Sequence, residues 1–169
     1  MRSEIVSSKS PLIISDPEIS SPDADARTTI YHLTEVTEAD DDYCLMRYIL
    51  QPGGIVPLHA HAARRTFYVL SGEVDVFLHD SWQGLGKGGV LEVPNSIGLA
   101  WRNRSHSKVT MLLIASMKSA RFLRNVLLPA GNVYYEDLDE FLRLAQSYGY
   151  WFATREENAS IGLRVTSCG

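Results

Sequence analysis

The stretch Gly53–Gly72, GGIVPLHAHAARRTFYVLSG, decides how this chain is read. His59 and His61 stand one residue apart in it. The turn Pro52-Gly53-Gly54 precedes them, and the run Thr66 to Leu70 follows and closes at Ser71-Gly72. The run is rich in β-branched and aromatic residues, which suit a pleated, half-buried surface. In a strand, residues i and i+2 share a face, so the two imidazoles aim at one place with Cα atoms about 6–7 Å apart. Two imidazoles on one spot make a metal site, an acid–base pair or the polar floor of a pocket.

Working outward, Thr29–Leu33 reads as a strand and Glu35–Asp42 as an acidic loop. Tyr43–Leu50 is a strand with little polar alternation, so both its faces are covered. Glu73–His79 alternates, with Val74, Val76 and Leu78 on one face. Asp80–Gly89 reads as a glycine-rich turn region. Val90–Val93 is a short strand ended by Pro94-Asn95, and Ser96-Ile97-Gly98 turns. Leu99–Asn103 extends, Arg104–Ser107 turns, and Val109–Ser116 is an apolar strand. About eight short strands at 8–12-residue spacing with turn signals between them predict a β-sandwich or barrel.

The last third changes period. Ser119 reads as an N-cap, with Phe122, Leu123, Val126 and Leu127 following at helical spacing until Pro129-Ala130-Gly131 breaks the pattern. A second helix is predicted from about Glu136 to Tyr148, with Leu138, Phe141, Leu142 and Ala145 as its apolar stripe. Gly149 suits its C-terminal cap. Both helices are expected to pack on the outside of the β-domain. The aromatic cluster Tyr148, Tyr150, Trp151 and Phe152 reads as core.

A chain of 169 residues with 45% apolar and 21% charged residues has the size and composition of one soluble globular domain. The expected division is a flexible N-terminal arm (1–28), a barrel (29–116) and a helical C-terminal part with its tail (117–169). The net charge of -4, with basic residues scattered, gives no support for nucleic-acid binding. Two cysteines, Cys44 and the penultimate Cys168, do not form a disulfide framework. No run has signal-peptide or transmembrane length, so a cytoplasmic protein without membrane contact is expected. The Asn-x-Ser matches at Asn103 and Asn158 are then chance sequons. The apolar island Leu12-Ile13-Ile14 in the arm is either part of a disordered tail or a strand added to a partner's sheet edge, and a homodimer is expected.

The residues around the histidine pair resemble the cupin superfamily, small double-stranded β-helix (jelly-roll) proteins. The first cupin motif is Gly, five residues, His-x-His, three residues, Glu, six residues, Gly. Gly53, His59, His61 and Gly72 fall in register with it. In the second motif Gly88, Pro94, Ser96 and Asn103 fall in register, with Ser96 where the motif has glycine. The tail also resembles quercetinase-like single-domain cupins, which carry two helices after the barrel and end near a Tyr-Gly pair such as Tyr148-Gly149. The resemblance implies a mainly β fold, a cupin barrel with two C-terminal helices. It also implies a metal held by the two motif-1 histidines, the motif-1 glutamate and the motif-2 histidine.

Two of those four positions depart from the pattern. Arg65 stands where the glutamate belongs, and Leu99 where the histidine belongs. Catalytic zinc and iron sites use about three protein ligands or more. A guanidinium about 6 Å from a divalent ion opposes it by about 5 kcal/mol at an effective dielectric of about 20. The leading expectation is therefore a cofactor-free enzyme of small-molecule, secondary metabolism. It would catalyse a non-redox cyclisation or isomerisation of an apolar, oxygenated small-molecule substrate. His59 or His61 would be the acid–base group and Arg65 the oxyanion or carboxylate clamp. Tyr48, Phe67, Leu99 and Trp101 are the expected walls of the substrate pocket. The first alternative is a quercetinase-like dioxygenase in which His59, His61 and Glu92 hold iron, nickel, copper or zinc. The second is a binding module without turnover, and it goes with an Arg65 that points outward to Glu73 or Asp75.

Overall fold

Local chain chemistry sets most of the element boundaries. The computed structural model describes residues 27–125 and 138–165. In chain order the strands are β1 (Thr28–His32), β2 (Tyr43–Leu50), β3 (Ile55–His61), β4 (Arg65–Ser71), β5 (Glu73–Leu78), β6 (Ser81–Gly86), β7 (Val90–Val93), β8 (Leu99–Arg102) and β9 (Val109–Ser116). Then come α1 (Met117–Asn125), α2 (Leu138–Ser147), β10 (Tyr150–Phe152) and α3 (Arg155–Ser160). Two five-stranded sheets have the orders β1-β2-β9-β4-β7 and β10-β3-β8-β5-β6. Every pairing is antiparallel. The fold is mainly β, a cupin-type barrel of two facing sheets.

The inward faces of the sheets make the core. Met46, Met111, Val69, Val74 and Trp101 are essentially inaccessible. Phe67 meets Trp101 edge-on, with ring centroids 5.0 Å apart. On β5, Val74, Val76 and Leu78 are all buried, as the period-2 pattern requires. The tight β4–β5 connection needs Gly72, whose φ is +81° and whose absent Cβ would stand 2.8 Å from the Lys108 carbonyl oxygen. Ser96 adopts φ +64°, the left-handed conformation that the second motif's glycine would take without strain.

The two motifs are tied to each other by the backbone. Gly53 N–H donates to the Asn103 carbonyl and Asn103 N–H to the Gly54 carbonyl. The buried Asn103 side chain donates to the Leu50 and Ser107 carbonyls and accepts from Ser105. The motif asparagine is thus a structural brace between the β2–β3 and β8–β9 turns.

The structure departs from the sequence expectation in four places. The glycine-rich segment after Asp80 is not a turn region but contains β6, paired along its length with β5. Its turn is His79-Asp80, both with positive φ, the two-residue hairpin geometry that matches strand twist. Gly84 and Gly86 dilute the strand signal there, while Trp82 supplies the packing by meeting Phe77 and Arg102. Helix α1 starts at Met117, so Ser119 lies inside it and does not cap it. A third helix, α3, carries a full capping box between Thr154 and Glu157. Finally, the tail adds β10 to a barrel sheet instead of only covering the barrel with helices.

The apolar stripe on α2 buries Phe141 and Ala145, and Leu138 is exposed at the helix start. Gly149 follows α2 with φ +82°, as a C-terminal cap requires. Residues 1–26, Val126, Leu127, the Pro129-Ala130-Gly131 break and Cys168 lie outside the described residues. Cys44 is buried with a free thiol. Among the described residues, no helix is long and apolar enough to cross a membrane.

Candidate functional site

A bulge in β3 presents the two histidines. The β3–β8 register runs Val56↔Trp101 and then His59↔Leu99, so β3 holds one residue more than its partner between those pairs. The extra length falls at Pro57-Leu58. Proline has no N–H to lose there. The Leu58 N–H, freed from the ladder, donates to the Asn158 side chain at 2.8 Å, and the Ala153 N–H returns to the Leu58 carbonyl. Beyond the bulge His59 and His61 both point inward and are buried, at 8% and 2% exposure.

Arg65, the first residue of β4, also points inward and is 2% exposed. Its Nη1 donates to Nε2 of His59 at 3.0 Å. Nδ1 of His59 is 2.8 Å from the Pro57 carbonyl oxygen, which can only accept. His59 is thereby fixed as a neutral ring, Nδ1–H donating to Pro57 and Nε2 accepting from Arg65. Burial first, then the Arg65 charge, push its pKa down to about 3.

His61 is held differently. Its Nδ1 faces both the Ala63 N–H, at 3.1 Å, and the Ala63 carbonyl oxygen, at 3.2 Å. Either tautomer therefore finds a partner at Ala63. Nε2 makes no hydrogen bond, although the Tyr148 carbonyl is near enough to favour the protonated ring. Burial outweighs these carbonyls and pushes the pKa down to about 4, with Arg65 acting in the same direction.

Strand β10 closes the site. It pairs with β3 so that Tyr150 lies opposite His61 and Phe152 opposite His59. The Tyr150 ring is 4.2 Å from His61 and 4.0 Å from Phe122 of α1. Its hydroxyl shares a 2.6 Å hydrogen bond with Ser119, which explains why that serine is buried inside α1. Trp151, between them, points to solvent. Trp151 therefore departs from the expected core cluster, because alternate residues of β10 face opposite sides, while Tyr150 and Phe152 pack inward on the histidines. Sequence reading missed Tyr150, Phe152, Ser119 and Asn158, because a pairing across some ninety residues leaves no local signal.

The charge balance of the trio is unusual. Nε and Nη2 of Arg65 are buried without a hydrogen-bond partner, and among the described residues Arg65 forms no salt bridge. The groups that face it are the phenols of Tyr48 and Tyr150. Burial pushes both phenols up, so both are neutral. Burial also pulls the Arg65 pKa down, but a guanidinium stays charged at neutral pH. An uncompensated buried charge costs several kcal/mol.

The other expected positions fall as follows. Tyr48, Phe67, Leu99 and Trp101 are all buried in the core cluster, with Leu99 at 0% exposure beside His59 in the β3–β8 register. Glu92 does not join the histidines. It is exposed on β7 and forms an ion pair with Arg64 at 2.5 Å. Asp75 pairs with Arg102 and Arg104, so the outward pairing of Arg65 to that carboxylate does not occur. Among the described residues, no three His, Cys, Asp or Glu side chains gather as a metal would need. The His59 nitrogen that would face a metal instead accepts from a cation. This donor set does not fit a divalent ion.

The cupin domain model matches residues 46–115, from the middle of β2 almost to the end of β9. This segment of the chain is a cupin domain. The cupin barrel is similar to the polyketide cyclase RemF from Streptomyces resistomycificus at 23% identity and a TM-score of 0.50, over 59% of this chain and 70% of that one. It is also similar to a cupin 2 conserved barrel domain protein from Salinispora arenicola CNS-205, at 12% identity and a TM-score of 0.53, over 63% of this chain and 89% of that one. No curated protein sequence matches. Identities this low speak for the fold alone.

Proposed function

We propose that this cupin is a metal-independent enzyme that cyclises or isomerises an apolar, oxygenated small molecule without a redox step. The observation that carries the reading is the Arg65–His59 hydrogen bond inside the barrel. It puts a fixed positive charge where cupins that bind metal have their ion. Both can stabilise negative charge on a substrate oxygen, but only the metal also binds oxygen or changes oxidation state.

The three side chains divide the work. His59 is a positioning residue, since both its nitrogens are engaged and it holds Arg65 in place. Arg65 is the electrostatic group. His61 is the acid–base group, because its Nε2 is free and Ala63 satisfies either tautomer. In the proposed step Nε2 of His61 takes a proton from carbon next to a carbonyl. The C–H electron pair moves into the carbonyl, and the resulting oxyanion is met by Arg65. In isomerisation the proton returns to another carbon of the enolate. In cyclisation the enolate carbon attacks a second carbonyl of the same molecule, whose oxygen takes the electron pair and the proton from His61. A second proton, moved by His61 from the same carbon to that hydroxyl, releases water as the double bond forms. No electrons are gained or lost, and no co-reactant is required. RemF shares the fold, and the reading rests on the side chains of this chain.

The test is turnover of a panel of polyoxygenated aromatic and polyketide-like compounds by protein treated with chelator, under air and under nitrogen. The expected products have the substrate mass or that mass less water. Turnover should be equal in both atmospheres and fall about 100-fold or more in His61→Ala. Products carrying added oxygen, or activity that returns only when a divalent metal is restored, would overturn the reading and favour the dioxygenase.

A further inference from the structure

We infer that the cupin barrel takes its ligand by a carboxylate, seated on the Nε–Nη2 edge of Arg65, with Nε2 of His61 left free for the reacting carbon. This rests on the assignment of the His59–His61–Arg65 trio as the functional site and adds the chemical class of what the trio binds.

Three features of the interior lead there. The first is geometric. A guanidinium carries five N–H donors in a rigid, planar fork. His59 takes one from Nη1, which locks the plane and turns the opposite edge away from it. The donors left buried and unpartnered are those of Nε and Nη2. They lie on one edge and point in parallel, the arrangement that meets both oxygens of a carboxylate. A single enolate oxygen needs only one donor, and the N–H groups of Arg65 that neither His59 nor the carboxylate takes remain for it.

The second is charge. The Arg65 side chain is 2% exposed and faces phenols, with no salt bridge among the described residues. A ligand that is already anionic in its resting state supplies the missing counter-charge, which a neutral ketone does not. The third is what surrounds the fork. Tyr150 and Phe152 pack on the imidazoles, and Leu99 is registered against His59. The aromatic or apolar body of a planar acid matches these neighbours in chemistry, and it reaches the fork only when the barrel opens, since the three nitrogens are closed to solvent. Inorganic phosphate needs donors for further oxygens, and among the described residues Nε2 of His61 is the one other buried, unpartnered side-chain nitrogen.

The test is calorimetric binding of benzoate and trans-cinnamate to the full chain, with benzamide and inorganic phosphate as comparisons. At least one of the two carboxylates should bind, with benzamide and phosphate at least tenfold weaker. Arg65→Lys keeps the charge but loses the fork and should weaken binding tenfold or more, and Arg65→Met should abolish it. In case an Arg65 variant does not fold, the unsubstituted protein gives its own readout. Titrating in the carboxylate should move the Arg65 Nε–H resonance, and benzamide should leave it in place. No binding of either carboxylate, equal binding of benzamide, or an unmoved Arg65 resonance would overturn the inference. Turnover of a neutral substrate that depends on His61 would then leave the enzymatic reading standing. Carboxylate binding with turnover unchanged in His61→Ala would do the reverse.

Discussion

Arg65 sets the energetics of the site as well as its chemistry. A buried guanidinium with one hydrogen bond to His59 and no carboxylate opposes folding. Replacing it by methionine of similar length removes the charge and leaves one His59 nitrogen unbonded, a smaller loss. Arg65→Met is therefore expected to stabilise the ligand-free protein by about 1–2 kcal/mol while removing function. The measurement is the urea unfolding midpoint. A lower midpoint in Arg65→Met would mean that the His59 contact outweighs the desolvation. Much at this scale was legible in the sequence. The common face of His59 and His61 follows from strand period, and the place of Arg65 in the motif frame from the family resemblance, but the inward direction of Arg65 does not, because a turn separates β3 from β4. The free nitrogen on His61 and the engaged one on His59 do not, because they depend on carbonyls and guanidinium atoms whose positions the backbone bulge sets.

At the scale of elements, the bulge in β3 is the feature on which the site depends. It is held open by a residue 100 positions away, since Asn158 accepts the Leu58 N–H and donates to the Ala153 and Thr154 carbonyls. Asn158 is 2% exposed, so it is a structural side chain and not a surface sequon. Asn158→Ala leaves the Leu58 N–H without its partner and is expected to cost about 2–3 kcal/mol. Chemical denaturation measures that loss. Carboxylate binding should weaken as well, because the histidine face is re-aimed if β3 regains regular pairing. Unchanged stability would show that the bulge is set by Pro57 alone. Strands with clean alternation, such as β5, or with uninterrupted apolar runs, such as β2 and β9, were readable directly. Strand β6 was not, because its glycines carry turn chemistry while its pairing with β5 decides the outcome.

Across the whole molecule, burying neutral histidines makes stability depend on pH. His59 and His61 titrate near 3 and 4 when folded, and His32 is also lowered, chiefly by burial. In the unfolded chain they titrate near 6.5. Between these values the unfolded state binds more protons, so stability rises with pH through that window. The contribution is full above about pH 6.5 and is lost as pH falls toward the folded values. At pH 5 each of His59 and His61 costs about 2 kcal/mol relative to neutral pH. Thermal unfolding between pH 7.5 and pH 4.5 should show this slope, and His61→Gln should lose its share of it. A flat profile in the unsubstituted protein would mean that the rings are hydrated and titrate normally.

What the sequence determined by itself is the barrel and the identity of the groups inside it. Turn glycines, strand period and motif spacing are properties of neighbouring residues, and they fix the shared face of His59 and His61 and that of Val74, Val76 and Leu78, while the direction of Arg65 stays open to them. What only the tertiary structure decided is how those groups meet. It took the register of β10 against β3 to bring Tyr150 onto His61 and Phe152 onto His59. It took the approach of β4 to β3 to place Arg65 on the His59 nitrogen and leave the other edge of its guanidinium unpartnered. Those outcomes rest on hydrogen bonds and ring contacts between segments far apart in sequence. Their energy depends on atomic positions a few tenths of an ångström wide, which no local pattern of residues encodes.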